Sequence, residues 1–202
     1  MIKYILLALG LGVFAGYLNG NYGVVVEGWV SGYLFNISLV VLVFVMGFVF
    51  GADKEAVAKL RRTGLKVLVF PFAVALGSIV GGLVGGLLLG LNVVGAMAVS
   101  AGFGWYTLAG PLVGQLFGAE LGALGFVVNF LRELLTILTV SLVVRIDRYV
   151  PIAFGGATTM DTTLPVIVRY CGSETLITAF SNGFTLSVIV PIAITTIATL
   201  PH

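Results

Sequence analysis

The sequence predicts an all-α integral membrane protein with about five full transmembrane helices and two re-entrant, discontinuous helical hairpins that enter from opposite faces. Three observations predict this class. Of the 202 residues, 59% are hydrophobic and 9% are charged, whereas a soluble domain carries about 25% charge. Long apolar stretches recur along the whole chain. Two of these stretches are broken by glycine and proline, which is tolerated at membrane depth only where protein or water satisfies the freed backbone groups.

The composition also limits the function classes. A net charge of +2 is too small to indicate nucleic-acid binding. The single cysteine, Cys171, excludes an internal disulfide and a cysteine-based metal cage. The one histidine is the last residue, His202, and the sequence contains neither HExxH nor GxSxG. We therefore expect no enzyme activity, no metal site and no cofactor.

The whole chain is predicted to be one transmembrane domain whose first part, 1–91, contains three helices at 1–18, 29–50 and 67–91. The first helix is expected to be retained rather than cleaved as a signal peptide. The densest charge run, 53–66, holds five basic residues and two acidic ones. Because short basic loops stay in the cytoplasm, the amino terminus is predicted to be cytoplasmic and the third helix to run outward.

The remaining chain alternates broken and continuous segments. They are a hairpin at 93–118, a helix at 119–144, a second hairpin at 151–170 and a helix at 176–200 that is expected to be interrupted at 181–183 and Pro191. If the first of these is a hairpin, the basic loop with Arg145 and Arg148 falls in the cytoplasm, as the positive-inside rule favours. Seven full spans are the alternative. Both arrangements place the carboxy terminus outside.

Three ionisable residues, Arg132, Glu133 and Asp161, are predicted to lie at membrane depth, where each costs about 2.5–3.5 kcal/mol. Their summed charge of −1 could accept a cationic substrate, a proton or a metal cation. Neighbours on a helix point about 100° apart, so we expect Arg132 to pair with one acid while the other acid titrates. A purely structural pair of Arg132 with Asp161 is the alternative, and it would leave Glu133 unpaired.

The other candidate binding residues are small, polar or aromatic and lie near the two breaks: Ser100, Gly102, Gly104, Trp105, Tyr106, Asn129, Thr158, Thr159, Thr162, Thr163 and Asn182. The threonines could bind a cation or an ammonium group, or could cap a half-helix together with Asp161. The aromatic pair could cover a cation or simply pack. The asparagines could join the site or bond neighbouring helices. Paired broken segments of this kind indicate a midplane transport site.

Several stretches resemble the lysine exporter (LysO-type) family: FVMGFVFGADKE at 44–55, SAGFGWYTLAG at 100–110, RELLTI at 132–137, GGATTMDTTLPV at 155–166 and NGFTLSVIVPI at 182–192. The resemblance extends over nearly the whole chain. It implies an inner-membrane exporter of L-lysine, and of analogues such as thialysine, that is driven by proton antiport. It also implies that Glu133 and Asp161 are the family's intramembrane acids. The substrate comes from the resemblance alone.

Members of that family carry further spans before the region that matches, so a homodimer or a complex with a small membrane subunit is expected besides contact with the lipid bilayer. Two other functions stay open at this point. One is a sodium- or proton-coupled carrier of another small cation or amino acid, for which the same residues would serve. The other is a non-transporting subunit of a larger membrane complex.

Overall fold

A computed structural model describes residues 66–201 continuously, together with residues 7 and 10–18 and separate positions at 33–34, 37–38, 40–41, 44–45, 48 and 52. The chain divides into two compact units, Met1–Ala52 and Asp53–His202. In the first unit, residues 10–18 are helical and expose apolar side chains such as Leu11 and Phe14. Much of the predicted spans 1–18 and 29–50, and the basic run, lie outside the described residues.

The second unit is helical throughout its described part, which confirms the predicted all-α class. Its helices are α1 (Lys66–Leu89), α2 (Val93–Ser100), α3 (Tyr106–Phe117), α4 (Ala119–Val143), α5 (Val150–Gly155), α6 (Leu164–Cys171) and α7 (Leu176–Ile197), with 3₁₀ turns at Gly156–Met160 and Ser173–Thr175. Three segments have the length and apolar composition to cross a bilayer: Val69–Leu89, Ala119–Val143 and Ser173–Ile197.

The outward faces of the long helices are apolar. Leu76, Val80 and Leu87 on α1, and Leu138 and Leu142 on α4, are all exposed. Contiguous apolar surface of this kind is rare on soluble monomers, whereas it matches the hydrocarbon of a bilayer. The second unit is therefore part of a multi-pass membrane protein.

The helices α2 and α3 form a hairpin, hairpin A (residues 93–117), which enters from the face at which α1 ends. Gly95 near the start of α2 contacts Leu121 at the start of α4, and Gly114 near the end of α3 contacts Gly122. The start of α2 and the end of α3 therefore lie at the same level. Consequently the chain reverses direction at 101–105.

The helices α5 and α6 form hairpin B (residues 150–171), which enters from the opposite face. Ile152 on α5 shares a buried apolar cluster with Ile167 and Cys171 on α6 and with Ala179 near the start of α7. Phe70, at the beginning of α1, packs against this cluster. Both ends of hairpin B thus lie at the level where α1 begins, which is the arrangement that two hairpins from opposite faces require.

The last helix is continuous from Leu176 to Ile197, so the interruption predicted at 181–183 is wrong. Gly183 lies against the main-chain atoms of Ala157 and Met160 in the 3₁₀ turn of hairpin B. The glycine allows the main chain of α7 to approach the main chain of the 3₁₀ turn closely, and it does not break the helix. Pro191 also lies within the helix.

Candidate functional site

The tips of the two hairpins meet. The N–H of Ala157 in hairpin B donates a hydrogen bond of 2.8 Å to the carbonyl oxygen of Phe103 in hairpin A. Gly156 has a φ of +62°, and a Cβ at this position would meet the same carbonyl oxygen and the guanidinium of Arg132. Glycine is required here by backbone conformation and by space alike.

The meeting point lies near the centre of the bilayer. Asn129 stands ten residues after α4 begins at Ala119, which is about 15 Å at 1.5 Å per residue, or half of a hydrocarbon core of about 30 Å. Its Oδ1 accepts a 2.7 Å hydrogen bond from the N–H of Gly104. Its Nδ2 donates to the carbonyl of Val99 at 2.8 Å. Asn129 therefore holds the tip of hairpin A at mid-membrane depth.

A cavity of about 110 Å³ lies beside the tips, and we call it the acid cavity. Two carboxylates from different elements line it: Glu133 from α4 and Asp161 from the break in hairpin B. The other lining residues are Gly104, Trp105, Tyr106, Thr107, Ala157, Thr158, Met160, Thr162 and Ser187. The fold thus brings together two acids that lie 28 positions apart in sequence, as their numbers show.

Glu133 is partly buried, and its Oε2 has no hydrogen-bond partner among the described residues. The hydroxyl of Tyr106 is a polar neighbour of its carboxylate in the cavity. A buried polar atom without a partner costs free energy and needs an explanation. A cationic ligand or a proton in the acid cavity would supply the missing partner.

Asp161 is exposed within the isolated chain, and its Oδ1 accepts a 2.6 Å hydrogen bond from the N–H of Thr162. The residue ends the 3₁₀ turn of hairpin B. The N-cap position of α6 belongs to Thr163, so the alternative of Asp161 as the cap of that half-helix is wrong. Its carboxylate lines the cavity instead.

Arg132 does not pair with either acid, which corrects both the predicted ion pair and its structural alternative with Asp161. Its guanidinium donates 2.8 Å hydrogen bonds to the carbonyls of Ala153 and Phe154 and a 2.9 Å bond to Ser78 Oγ. These carbonyls end α5 and have no partner within that helix. Arg132 points away from Glu133 because adjacent helical positions diverge, and it caps a helix end whose partial charge is negative.

The four threonines around Asp161 divide into two groups. Thr158 and Thr162 line the acid cavity, although Thr158 also donates to the carbonyl of Gly155 at 2.9 Å. Thr163 lies 3.2 Å from the hydroxyl of Thr158, inside hairpin B. Thr159 donates to the carbonyl of Ala179 on α7 at 2.7 Å. A bond to a main-chain carbonyl therefore accounts for Thr159, and a bond to another threonine accounts for Thr163.

Four more predicted site residues lie outside the acid cavity. Asn129 bonds hairpin A, as described above. Asn182 on α7 donates from Nδ2 to the carbonyl of Gly156 at 3.0 Å and to Thr159 Oγ1 at 3.2 Å. The two asparagines thus bond neighbouring elements, in agreement with the second of the two predicted roles. Gly102 packs against the Asn129 amide, and Ser100 lines a separate apolar cavity beside α1.

Both aromatic residues, Trp105 and Tyr106, line the acid cavity. The Tyr106 ring also packs edge-on against Phe126 and Phe130, with centroids 5.4 and 5.5 Å away. Sequence reasoning missed Thr107, Ala157, Met160 and Ser187 in the lining. Ser187 had a detectable signal, since it is a polar residue four positions after Gly183 on an apolar helix.

The fold and the site define a class of protein: a polytopic helical membrane protein in which two discontinuous hairpins meet at the midplane beside paired acids, the architecture of secondary transporters. The family model described as "Lysine exporter LysO" matches residues 6–198. The chain therefore belongs to this family.

Two curated relatives give the same result. The Escherichia coli (strain K12) protein "Lysine exporter LysO" is 35% identical over 159 residues, which cover 78% of this chain and 52% of the relative. The Haemophilus influenzae protein "Putative lysine exporter" is 29% identical over 126 residues, which cover 62% of this chain and 65% of the relative. The matches span about half to two thirds of these relatives. No solved structure matches the chain.

Proposed function

We propose that the chain exports L-lysine in exchange for protons, by alternating access to the acid cavity, and that it is a carrier rather than an enzyme. One observation carries the proposal: Glu133 and Asp161, from two separate elements, line one cavity where the two hairpin tips meet. Carboxylates at membrane depth are costly and are characteristic of ion and substrate pathways. Membership of the lysine exporter family supports lysine as the cargo.

The charges of the cavity suit a cationic amino acid. Two carboxylates attract the ammonium groups of lysine, and Glu133 Oε2 has no other hydrogen-bond partner in the described part of the chain. A proton bound by the same acids would remove that attraction. Binding of lysine and binding of protons would therefore exclude one another, which is the requirement for antiport.

The substrate's carboxylate has a complementary position. The helix α3 begins at Tyr106, and both Tyr106 and Thr107 line the acid cavity. The N-terminus of this twelve-residue helix carries partial positive charge. A bound lysine would direct its carboxylate to the start of α3 and its ammonium groups to Glu133 and Asp161.

The proposed orientation follows the positive-inside rule. The face at which α1 begins is cytoplasmic because the basic run 53–66 precedes it. Hairpin B would then gate the cytoplasmic side of the inner membrane and hairpin A the outer side. The amino terminus would lie in the cytoplasm and the carboxy terminus outside.

Proton flux in liposomes tests the proposal. The purified chain is reconstituted, lysine is added on one side, and internal pH is recorded for wild type, Asp161→Asn, Glu133→Gln and the control Glu120→Gln. Glu120 lies in the first turn of α4 and does not line the acid cavity. Lysine-dependent proton flux is expected in wild type and the control and is expected to be lost in both cavity variants. Flux that persists in both would refute the role of the acids.

The same vesicles are used to identify the substrate and the coupling ion. Competition by arginine and ornithine distinguishes a lysine carrier from a carrier of another small cation or amino acid. Replacement of a proton gradient by a sodium gradient distinguishes the coupling ions. Absence of every flux from folded protein would favour the remaining alternative, a non-transporting subunit of a larger complex.

We further propose that the working unit is a homodimer or a complex with a small membrane subunit. Asp161 and Thr162 are exposed in the isolated chain although they lie at the hairpin tips. A charged side chain that faces hydrocarbon costs about 2.5–3.5 kcal/mol, so covering this surface stabilises the protein. The mass of the complex in mild detergent tests the proposal, and a monomer that is active in liposomes would contradict it.

A further inference from the structure

The helix α4 holds the tips of both hairpins through two side chains that lie one turn apart. Asn129 accepts a 2.7 Å hydrogen bond from the N–H of Gly104 and so binds hairpin A. Arg132 donates 2.8 Å hydrogen bonds to the carbonyls at 153–154 and so binds hairpin B. The next residue, Glu133, lines the acid cavity. One helix therefore sets the position of both hairpins relative to an acid of the site.

We propose that Asn129 and Arg132 are positioning residues that latch the two hairpins independently. Loss of the Asn129 latch frees hairpin A and opens the acid cavity to the face at which α1 ends. Loss of the Arg132 latch frees hairpin B and opens the cavity to the face at which α1 begins. Neither residue lines the acid cavity, so each acts through its hairpin. The inference rests on the proposed alternating-access function.

Other polar contacts hold the hairpins to each other and to α7 rather than to α4. In the described part of the chain, one main-chain hydrogen bond, from Ala157 to Phe103, joins the two tips. Hairpin B is also attached to α7, where Asn182 donates to the carbonyl of Gly156 and the carbonyl of Ala179 accepts from Thr159. Loss of Arg132 would thus release hairpin B from α4 but leave it on α7. The expected motion separates Asp161 from Glu133.

The experiment measures access to the acid cavity from each face. Thr162→Cys is the reporter, because Thr162 is exposed and lines the cavity. It is placed in a Cys171→Ala background, which removes the only native cysteine. A membrane-impermeant maleimide is applied to oriented vesicles from one side or the other. The test variants are Asn129→Leu and Arg132→Met.

The matched control is Thr139→Ala on the same helix, since the Thr139 hydroxyl bonds only the carbonyl of Leu135 in its own helix. Loss of a buried or charged hydrogen bond shifts a two-state equilibrium about tenfold. We expect Asn129→Leu to be labelled about tenfold faster than the parent from the face at which α1 ends, and Arg132→Met about tenfold faster from the opposite face. The control is expected to label like the parent.

Conservative variants keep the test informative where the primary variants do not fold. Arg132→Lys retains a donor for the carbonyls at 153–154, and Asn129→Asp retains the acceptor for Gly104. Both are expected to be labelled at a rate between that of the parent and that of the corresponding apolar variant. Faster labelling of both latch variants from the same face, or no change in either, would overturn the inference.

Lysine-driven proton flux is recorded in parallel vesicles of the unmodified chain, so that the latches and the proposed transport function are tested separately. Labelling from opposite faces without any flux would leave the latches standing and overturn the proposed transport function. Flux together with labelling from one shared face would overturn the latches alone.

Discussion

The main-chain N–H of Ala157 and the carbonyl oxygen of Phe103 are joined by a 2.8 Å hydrogen bond, although the two residues belong to hairpins that enter from opposite faces. This bond gives a main-chain group at the break of each hairpin a partner in the other hairpin. It therefore satisfies backbone groups that would otherwise be exposed to hydrocarbon, where an unpaired group costs several kcal/mol. The approach depends on Gly156, which lies directly before Ala157.

Substitution Gly156→Ala is expected to destabilise the protein by about 3 kcal/mol or more, because a Cβ there adds overpacking against Phe103 to the cost of a left-handed residue. Gly90→Ala is the matched control. Gly90 has nearly the same φ, +65°, but its Cβ would meet nothing within 4 Å, so only the conformational cost of about 1–2 kcal/mol applies. Thermal unfolding in detergent measures both, and equal losses would disprove close contact at the tips.

The hairpins could be predicted from the sequence because a break in a membrane helix is accompanied by local glycine and proline residues. Glycine and proline near Gly104 and Gly156 interrupt apolar runs, and the positive-inside rule then chose hairpins over full spans. The two acids were also recognisable, since each is costly at its depth.

The partners of those polar residues were not recognisable from sequence. Arg132 bonds main-chain carbonyls of α5, and a carbonyl is present at every position, so no residue type marks it as a partner. Thr159 and Asn182 form a buried hydrogen bond. Both were candidate binding residues because each is polar within an apolar run. Whether such a residue binds substrate or bonds a neighbouring element depends on the distances between elements. The amino-acid composition does not contain these distances.

Substitution Thr159→Val is expected to lower the free energy of unfolding by about 1–3 kcal/mol, because it leaves buried partners unsatisfied. Thr159 is fully buried and its hydroxyl bonds Ala179 and Asn182. Thr139→Val is expected to change stability by less than about 0.5 kcal/mol, because Thr139 is not fully buried and its hydroxyl bonds a carbonyl of its own helix. Denaturant or thermal unfolding in detergent compares the two. A Thr159 variant as stable as the Thr139 variant would mean that the buried hydroxyl is dispensable.

The ion pair between Arg148 and Glu174 is expected to contribute little. Its atoms lie 2.6 Å apart, but the side chains are 52% and 57% exposed, and exposed pairs contribute about 0–1 kcal/mol. A double-mutant cycle with Arg148→Ala and Glu174→Ala should give a coupling energy below about 1 kcal/mol that falls further in high salt. A larger, salt-insensitive coupling would indicate that this loop is covered in the assembled protein.

Substitution Glu133→Gln is expected to raise stability while it abolishes lysine-dependent proton flux. Glu133 Oε2 is buried without a hydrogen-bond partner among the described residues, and a buried carboxylate that lacks a partner is unfavourable. A neutral amide of the same shape relieves that cost, so we expect a gain of about 1–2 kcal/mol, as is common where a strained functional group is removed. Glu120→Gln, in the first turn of α4, should alter neither property. Thermal unfolding and proton flux are measured on the same preparations. A Glu133→Gln protein that loses both stability and flux would indicate a structural role for the carboxylate, because a residue kept for binding alone is not needed to hold the fold.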